Sequence, residues 1–196
     1  DPITLQLREE NFLQHGRDVY AVRWTGGGGF GDPMDRSPLD IERDLEDRSI
    51  TAAAARAIYG AVIDDEGTVD AGATEAHRAR VRAGRVRKHG AAQKARPGAL
   101  VFEAGSCLNV LVDGEGRYWA CGKCSAPLGA TAENYKDGCI CEDQPVSASN
   151  PLIGEPTRFI DDTVEFRQFF CPGCGTLIDN EVAVDSDPIL TDVSVG

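Results

Sequence analysis

Two Cys-x-x-Cys turns stand out in this 196-residue chain as a pattern whose spacing prescribes a chemistry: Cys121-Gly-Lys-Cys124 and Cys171-Pro-Gly-Cys174. They are separated by 46 residues, Ser125 to Phe170. Thiolates are soft donors, and four of them satisfy one tetrahedral zinc ion with no coordination position left for substrate or water. The expected role of Cys121, Cys124, Cys171 and Cys174 is therefore a structural metal site. Iron is the alternative metal, and four unmetallated thiols the remaining reading. Cys139 and Cys141 could replace one of the pairs or bind a second ion. Cys107 reads as a core residue.

All seven cysteines lie in the second half. The number is odd and no basic-then-apolar leader opens the sequence, so a disulfide framework is the weaker expectation and metal binding in a reducing cytoplasm the stronger. No apolar run approaches the roughly 20 residues of a membrane span. The first residue is Asp1, and the opening reads as the tail of something longer. The net charge of −12 is uneven. Residues 1–96 carry 15 Lys and Arg against 16 Asp and Glu, whereas residues 97–196 carry 5 against 16. A net of −11 in the second half repels phosphate backbones, which argues against nucleic acid as a partner.

Each cysteine pair needs a strand on either side to present it. The stretch CLNVLVDGEGRYWAC reads as a hairpin turning at DGEG, with one pair at its end. TVEFRQFFCPGCGTLIDNEVAV reads as a second hairpin whose turn is the other pair. The segment between them is long, polar and rich in Gly and Pro, and is expected to supply little core; a metal would then staple the domain. The first half differs. VYAVRW reads as a strand over residues 19–24, followed by the glycine loop GGGGFGDP. Ser37 and Pro38 signal a helix start, and Ser49 or Thr51 can cap the alanine run that Gly60 ends. AVIDDEGTVD suggests a small hairpin, and Asp70 can cap a third helix. That helix carries basic residues from Arg78 to Lys88, read either as a solvated face or as a contact with an acidic partner. Residues 88–99 read as a linker. The expected fold class is α+β: a helical, loop-rich segment over residues 1–97 and a small antiparallel zinc-ribbon-like domain over residues 98–196.

Other chemistry is thinly supported. Gly26, Gly28 and Gly31 satisfy G-x-G-x-x-G, but Asp32-Pro33 follows where a helix should begin, so an ordered loop at a subunit or domain contact is expected instead of a phosphate site. His15, His77 and His89 have no ligand partners nearby in sequence, and no nucleophile–base grouping can be assembled, so no catalytic residue is assigned.

Two resemblances add to this reading. Gly26 to Pro33, Ala54 to Val62 and Val69 to Arg80 resemble the carboxyl-terminal end of hydantoinase B/oxoprolinase-type subunits, over roughly residues 17–87. Trp119–Cys124, Glu133–Gly138 and Phe166–Ala183 resemble the small γ subunit of acetone carboxylase. The stretch around Phe169, Phe170 and Cys171 also resembles a rubredoxin knuckle, which keeps iron open. Together the first two imply an accessory subunit of an ATP-dependent ketone carboxylase of the acetone and acetophenone carboxylase type. Its partners would be large hydantoinase A-like and B-like subunits, which would use ATP and bicarbonate away from this chain. The alternative implied by the first resemblance is a subunit of a hydantoin- or lactam-opening amidohydrolase.

Overall fold

In a computed structural model of the chain, residues 3, 5, 11–20, 29–149, 153 and 156–195 are described. Among the described residues three α-helices come first and seven β-strands follow, in two antiparallel sheets, an α+β architecture. Val19 and Tyr20 carry no strand; residues 21–24 of the expected strand, with Gly26 and Gly28, lie outside the described residues.

Local signals set the helices. Helix α1 (Pro38–Glu46) starts where the Ser37 hydroxyl accepts from the Asp40 amide, with proline in its first turn. Helix α2 (Ala52–Tyr59) is capped by Thr51, not Ser49, and ends at Gly60, whose φ of 63° is left-handed. Helix α3 (Ala71–Lys88) begins at Asp70, whose carboxylate accepts from the Ala73 amide. Between α2 and α3 a single antiparallel bridge, Ile63 to Val69, forms the small hairpin. The core under these helices is slight: Ile41, Ala55, Ala61 and Val69.

The first sheet has the order β1 (Ala99–Glu103), β2 (Leu108–Asp113), β3 (Gly116–Cys121), β4 (Pro127–Ala130). The DGEG turn joins β2 to β3 with Asp113 facing Gly116. The second sheet runs β5 (Ile140–Pro145), β6 (Val164–Phe170), β7 (Leu177–Val184). Trp119 is wholly buried among Leu108, Val110, Leu128 and Tyr135. Its ring nitrogen donates to the Glu133 carbonyl at 3.1 Å, so its one polar atom is satisfied.

The segment between the cysteine pairs departs from expectation, because it contributes core. It forms β4, a 3-10 turn at Tyr135–Gly138 and β5, and buries Ala126, Leu128, Tyr135, Ile140 and Val146. These anchors stand singly among polar residues, so no period reveals them. The Asn134-to-Gly138 motif is built for this turn. The Asn134 side chain accepts from the Lys136 amide, and a Cβ on Gly138 would run into the Leu128 carbonyl. Lys136 itself is buried, its ammonium between Asp179 (3.0 Å), Glu181 (3.1 Å) and Asp192 (3.5 Å). Burial alone would lower its pKa; bonds to Asp179 and Glu181 more than offset that and hold the charge on. Asp192 lies in the carboxyl-terminal tail, which the Lys136 ammonium and the Tyr135 hydroxyl thereby fasten to β7.

The linker reading also needs correction. Residues 91–98 have no regular structure but are pinned along the second half. The Gln93 amide donates to the Pro172 carbonyl and the Arg96 amide to that of Ser125. The Arg96 guanidinium pairs with Asp113 (2.6 Å) and Glu115 (2.7 Å).

The thin core of the helical segment leads to a prediction. A fragment of residues 1–96 buries too little apolar surface to offset its chain entropy. It is expected to give no cooperative thermal transition by circular dichroism. A sharp transition would show that the segment folds independently.

Candidate metal centre

Both Cys-x-x-Cys turns are built the same way. In the first, the Cys121 amide donates to Ala126 O (2.9 Å) and the Ser125 amide to Cys121 O (2.9 Å). In the second, Cys171 donates to Thr176 O (2.8 Å) and Gly175 to Cys171 O (2.9 Å). Each turn also aims a backbone N–H at its first sulfur: Lys123 at Cys121 Sγ (3.4 Å) and Gly173 at Cys171 Sγ (3.3 Å). Such N–H···S bonds favour a thiolate. The residue after each second cysteine is left-handed, Ser125 at φ 57° and Gly175 at φ 74°.

Pairing within each sheet forms one turn, and the two turns, one from each sheet, lie face to face. The four sulfurs all lie within 4.8 Å of one another, and among the described residues this is the one such cluster of potential metal ligands. Cys121 and Cys174 are 3.8 Å apart, Cys124 and Cys171 3.5 Å. A tetrahedron with zinc–sulfur bonds of 2.3 Å has edges of about 3.8 Å. The donor set therefore fits a metal ion of that kind. Cys121 and Cys171 are buried, and all seven cysteines of the chain are unbridged.

Crowding makes the four thiols unequal. Hydrogen bonds from Cys121, then Cys171, pull Cys124 down to about 7. Cys174 is also pulled well down, by Cys121 first and then Cys124 and Cys171. Cys121 is held up because it donates to Cys124 and its neighbours and is buried. For Cys171, a bond with Cys121 that lowers its pKa is outweighed by those with Cys124 and Cys174 and by burial. The cluster thus favours ionisation at Cys124 and Cys174 and opposes it at Cys121 and Cys171. All four can ionise together only beside a cation.

The remaining cysteines stay apart. Cys139 points its thiol at the Tyr135 carbonyl, and burial pushes it up to about 12. Cys141 lies beside Asp143 and is raised to about 11, first by burial. Neither joins the four-sulfur cluster. Cys107 is buried just before β2, and its carbonyl accepts from the Gly122 amide at 2.8 Å, steadying the first turn.

The basic run of α3 is mostly not a solvated face; its acidic partner is this same chain. Arg82 bonds Asp32 (2.8 Å) and Asp35 (2.9 Å). Arg85 donates to Gly175 O at 2.9 Å and lies 4.1 Å over the Phe170 ring. Lys88 and His89 both reach Glu142. Arg78 is buried and bonds the Tyr59 and Arg36 carbonyls, holding α3 against the first two helices. The end of the glycine loop lies at a contact, as expected of it. Gly31, with φ 73°, sits where a Cβ would meet Ser106 Oγ at 2.8 Å. Next to it, Asp32 caps a 3-10 turn (Pro33–Asp35) and accepts from the Leu177 amide at 3.1 Å. Sequence reasoning missed Asp32 and Lys123 as contact residues. The Gly-Asp-Pro motif was the available signal, since a capping aspartate beside a permissive glycine marks a built turn.

The family described as acetone carboxylase gamma subunit matches residues 97–196, which hold both turns and every strand. The chain belongs to that family. Among curated proteins, this acetone carboxylase gamma family member is 35% identical over 81 residues to the acetophenone carboxylase beta subunit of Aromatoleum aromaticum, covering 40% of this chain and 63% of that protein. It is 44% identical over 66 residues to the caprolactamase subunit beta of Pseudomonas jessenii, covering 34% of this chain and 11% of the other. It is 36% identical over 84 residues to the acetone carboxylase alpha subunit of Xanthobacter autotrophicus, covering 41% and 11%. The matches thus span less than two thirds of each relative's length. No helix among the described residues is long and apolar enough to cross a membrane.

The matched turns allow a direct test. A Cβ on Gly175 would meet left-handed backbone strain and the Arg82 carbonyl. Gly175→Ala is expected to lower the urea-unfolding free energy by more than about 2 kcal/mol. Ser125→Gly, at the equivalent position, should change it by less than about 1 kcal/mol. Equal effects would contradict the packing described for Gly175.

Proposed function

We propose that the chain is an accessory, zinc-stapled subunit of an ATP-dependent ketone carboxylase. The complex would join a ketone and bicarbonate into a β-keto acid at the expense of ATP, acetophenone to benzoylacetate being one such reaction. The observation that carries this reading is the family match over residues 97–196, together with the likeness to an acetophenone carboxylase beta subunit. Zinc would be held by Cys121, Cys124, Cys171 and Cys174. With four sulfur ligands it would supply folding energy and no reaction chemistry. The chain's own part is structural, positioning the large hydantoinase A-like and B-like subunits, on which ATP and bicarbonate would act. A reducing cytoplasm suits four free thiols in one cluster. The acidic second half, at −11, opposes a nucleic-acid partner.

A second reading rests on the likeness to a caprolactamase subunit. In it the chain serves a complex that opens cyclic amides. Bicarbonate separates the two, since only carboxylation consumes it.

Two outcomes are expected. Elemental analysis of the purified chain should give about one zinc per chain, and a red, iron-bearing protein would replace zinc with iron. Cys171→Ser should lose most of that metal and, with it, assembly into the complex and ATP- and bicarbonate-dependent turnover. A Cys171→Ser complex that assembles fully, keeps its zinc and still loses turnover would show a catalytic role for the site. A wild-type complex that opens lactams without bicarbonate would favour the second reading.

A further inference from the structure

Many of the contacts between the helical segment and the second half fall on or beside the two cysteine turns. On the second turn, the Gln93 amide reaches Pro172 O, Arg85 reaches Gly175 O, and Asp32 Oδ2 takes the Leu177 amide. Gly175 leaves no room for a Cβ beneath the Arg82 carbonyl, and a Cβ on Gly173 would meet Gln93 O at 2.8 Å. On the first turn, the Arg96 amide reaches Ser125 O, and Lys123 Nζ pairs with Asp35 at 2.9 Å. Burial would raise Asp35, but hydrogen bonds from Lys123 and Arg82 more than offset it and keep the carboxylate charged. Each contact is a hydrogen bond, an ion pair or a backbone approach. Such interactions depend on position to a few tenths of an ångström, unlike a broad apolar interface.

Resting on the reading that the four cysteines bind zinc, we propose that the paired turns form a docking plate for the Gly31–Asp35 strap and α3, and that zinc binding and this docking are energetically coupled. Ligation fixes the sulfurs of two four-residue turns. The plate consists of backbone groups of those turns and of the residues that directly follow them, Ser125, Gly175 and Leu177, with the Lys123 side chain, so freeing the sulfurs displaces the plate. Coupling is reciprocal: whatever zinc gives to docking, docking gives to zinc affinity.

The test uses the full chain and zinc itself. Asp32→Ala and Lys123→Met remove contacts from the two sides of the dock and leave every thiol in place. Tyr135→Phe is the control, since its hydroxyl bonds Asp179 and Asp192 and touches neither turn. Zinc affinity is read by competition with a chromophoric chelator, and zinc content is measured in parallel. Both dock variants should bind zinc about 5- to 150-fold more weakly, the usual range of coupling between sites. Tyr135→Phe should stay within about twofold. Stripping zinc from the parent should also speed amide hydrogen exchange across residues 71–88. Unchanged zinc affinity in both dock variants overturns the coupling and leaves the zinc reading standing. An equal loss in Tyr135→Phe overturns it too, by tracing the effect to general destabilisation. A parent chain that takes up no zinc overturns the zinc reading, and the coupling with it.

Discussion

Four sulfurs within 4.8 Å of one another constrain everything around them. Reduced thiols repel as they ionise, so four gathered at two hairpin tips form a set that could hold a cation. The rest of the second half serves that convergence. β3 delivers Cys121 from one sheet and β6 leads to Cys171 from the other. The wholly buried Trp119 and Phe169 lie two residues before those cysteines, fixing each strand end in the core. Below them the Lys136 cluster ties the 3-10 turn, β7 and the carboxyl-terminal tail together by charge.

The same turns organise the first half. Its helices fully bury only a few apolar side chains against one another. What holds them in place is a set of arginines whose partners are carbonyls and carboxylates. Arg78 works inward and Arg82 and Arg85 outward, toward the strap and the second turn. Desolvation would lower the Arg82 pKa, and Asp32 and Asp35 more than reverse that, so the charge is kept where the strap needs it. In the proposed reading, a metal held at the turns would pass its rigidity to this segment through these contacts.

Much of the site was legible because its signals are local. A Cys-x-x-Cys after a strand announces a turn, and the DGEG and CPGC turns were both read correctly. Helix caps at Ser37, Thr51 and Asp70 and the stop at Gly60 follow from side-chain chemistry within four residues. The failures are non-local. Leu128, Tyr135 and Ile140 are isolated anchors, and nothing in their neighbourhood says they meet Trp119 or Phe170. Residues 91–98 look like a linker because their hydrogen bonds go to distant carbonyls. The basic run of α3 was ambiguous for the same reason, since the acidic partners of Arg82 and Lys88 lie 47 to 54 residues away in sequence.

Cys121, Cys124, Cys171 and Cys174 are proposed to hold one zinc ion together and, by doing so, to hold the module. X-ray absorption at the zinc edge of the purified chain tests it most directly. Four sulfur scatterers at about 2.3 Å, with no nitrogen or oxygen neighbour, is the expected shell. A shell with fewer sulfurs and an oxygen or nitrogen ligand would contradict a closed four-cysteine site and reopen a catalytic role for the metal.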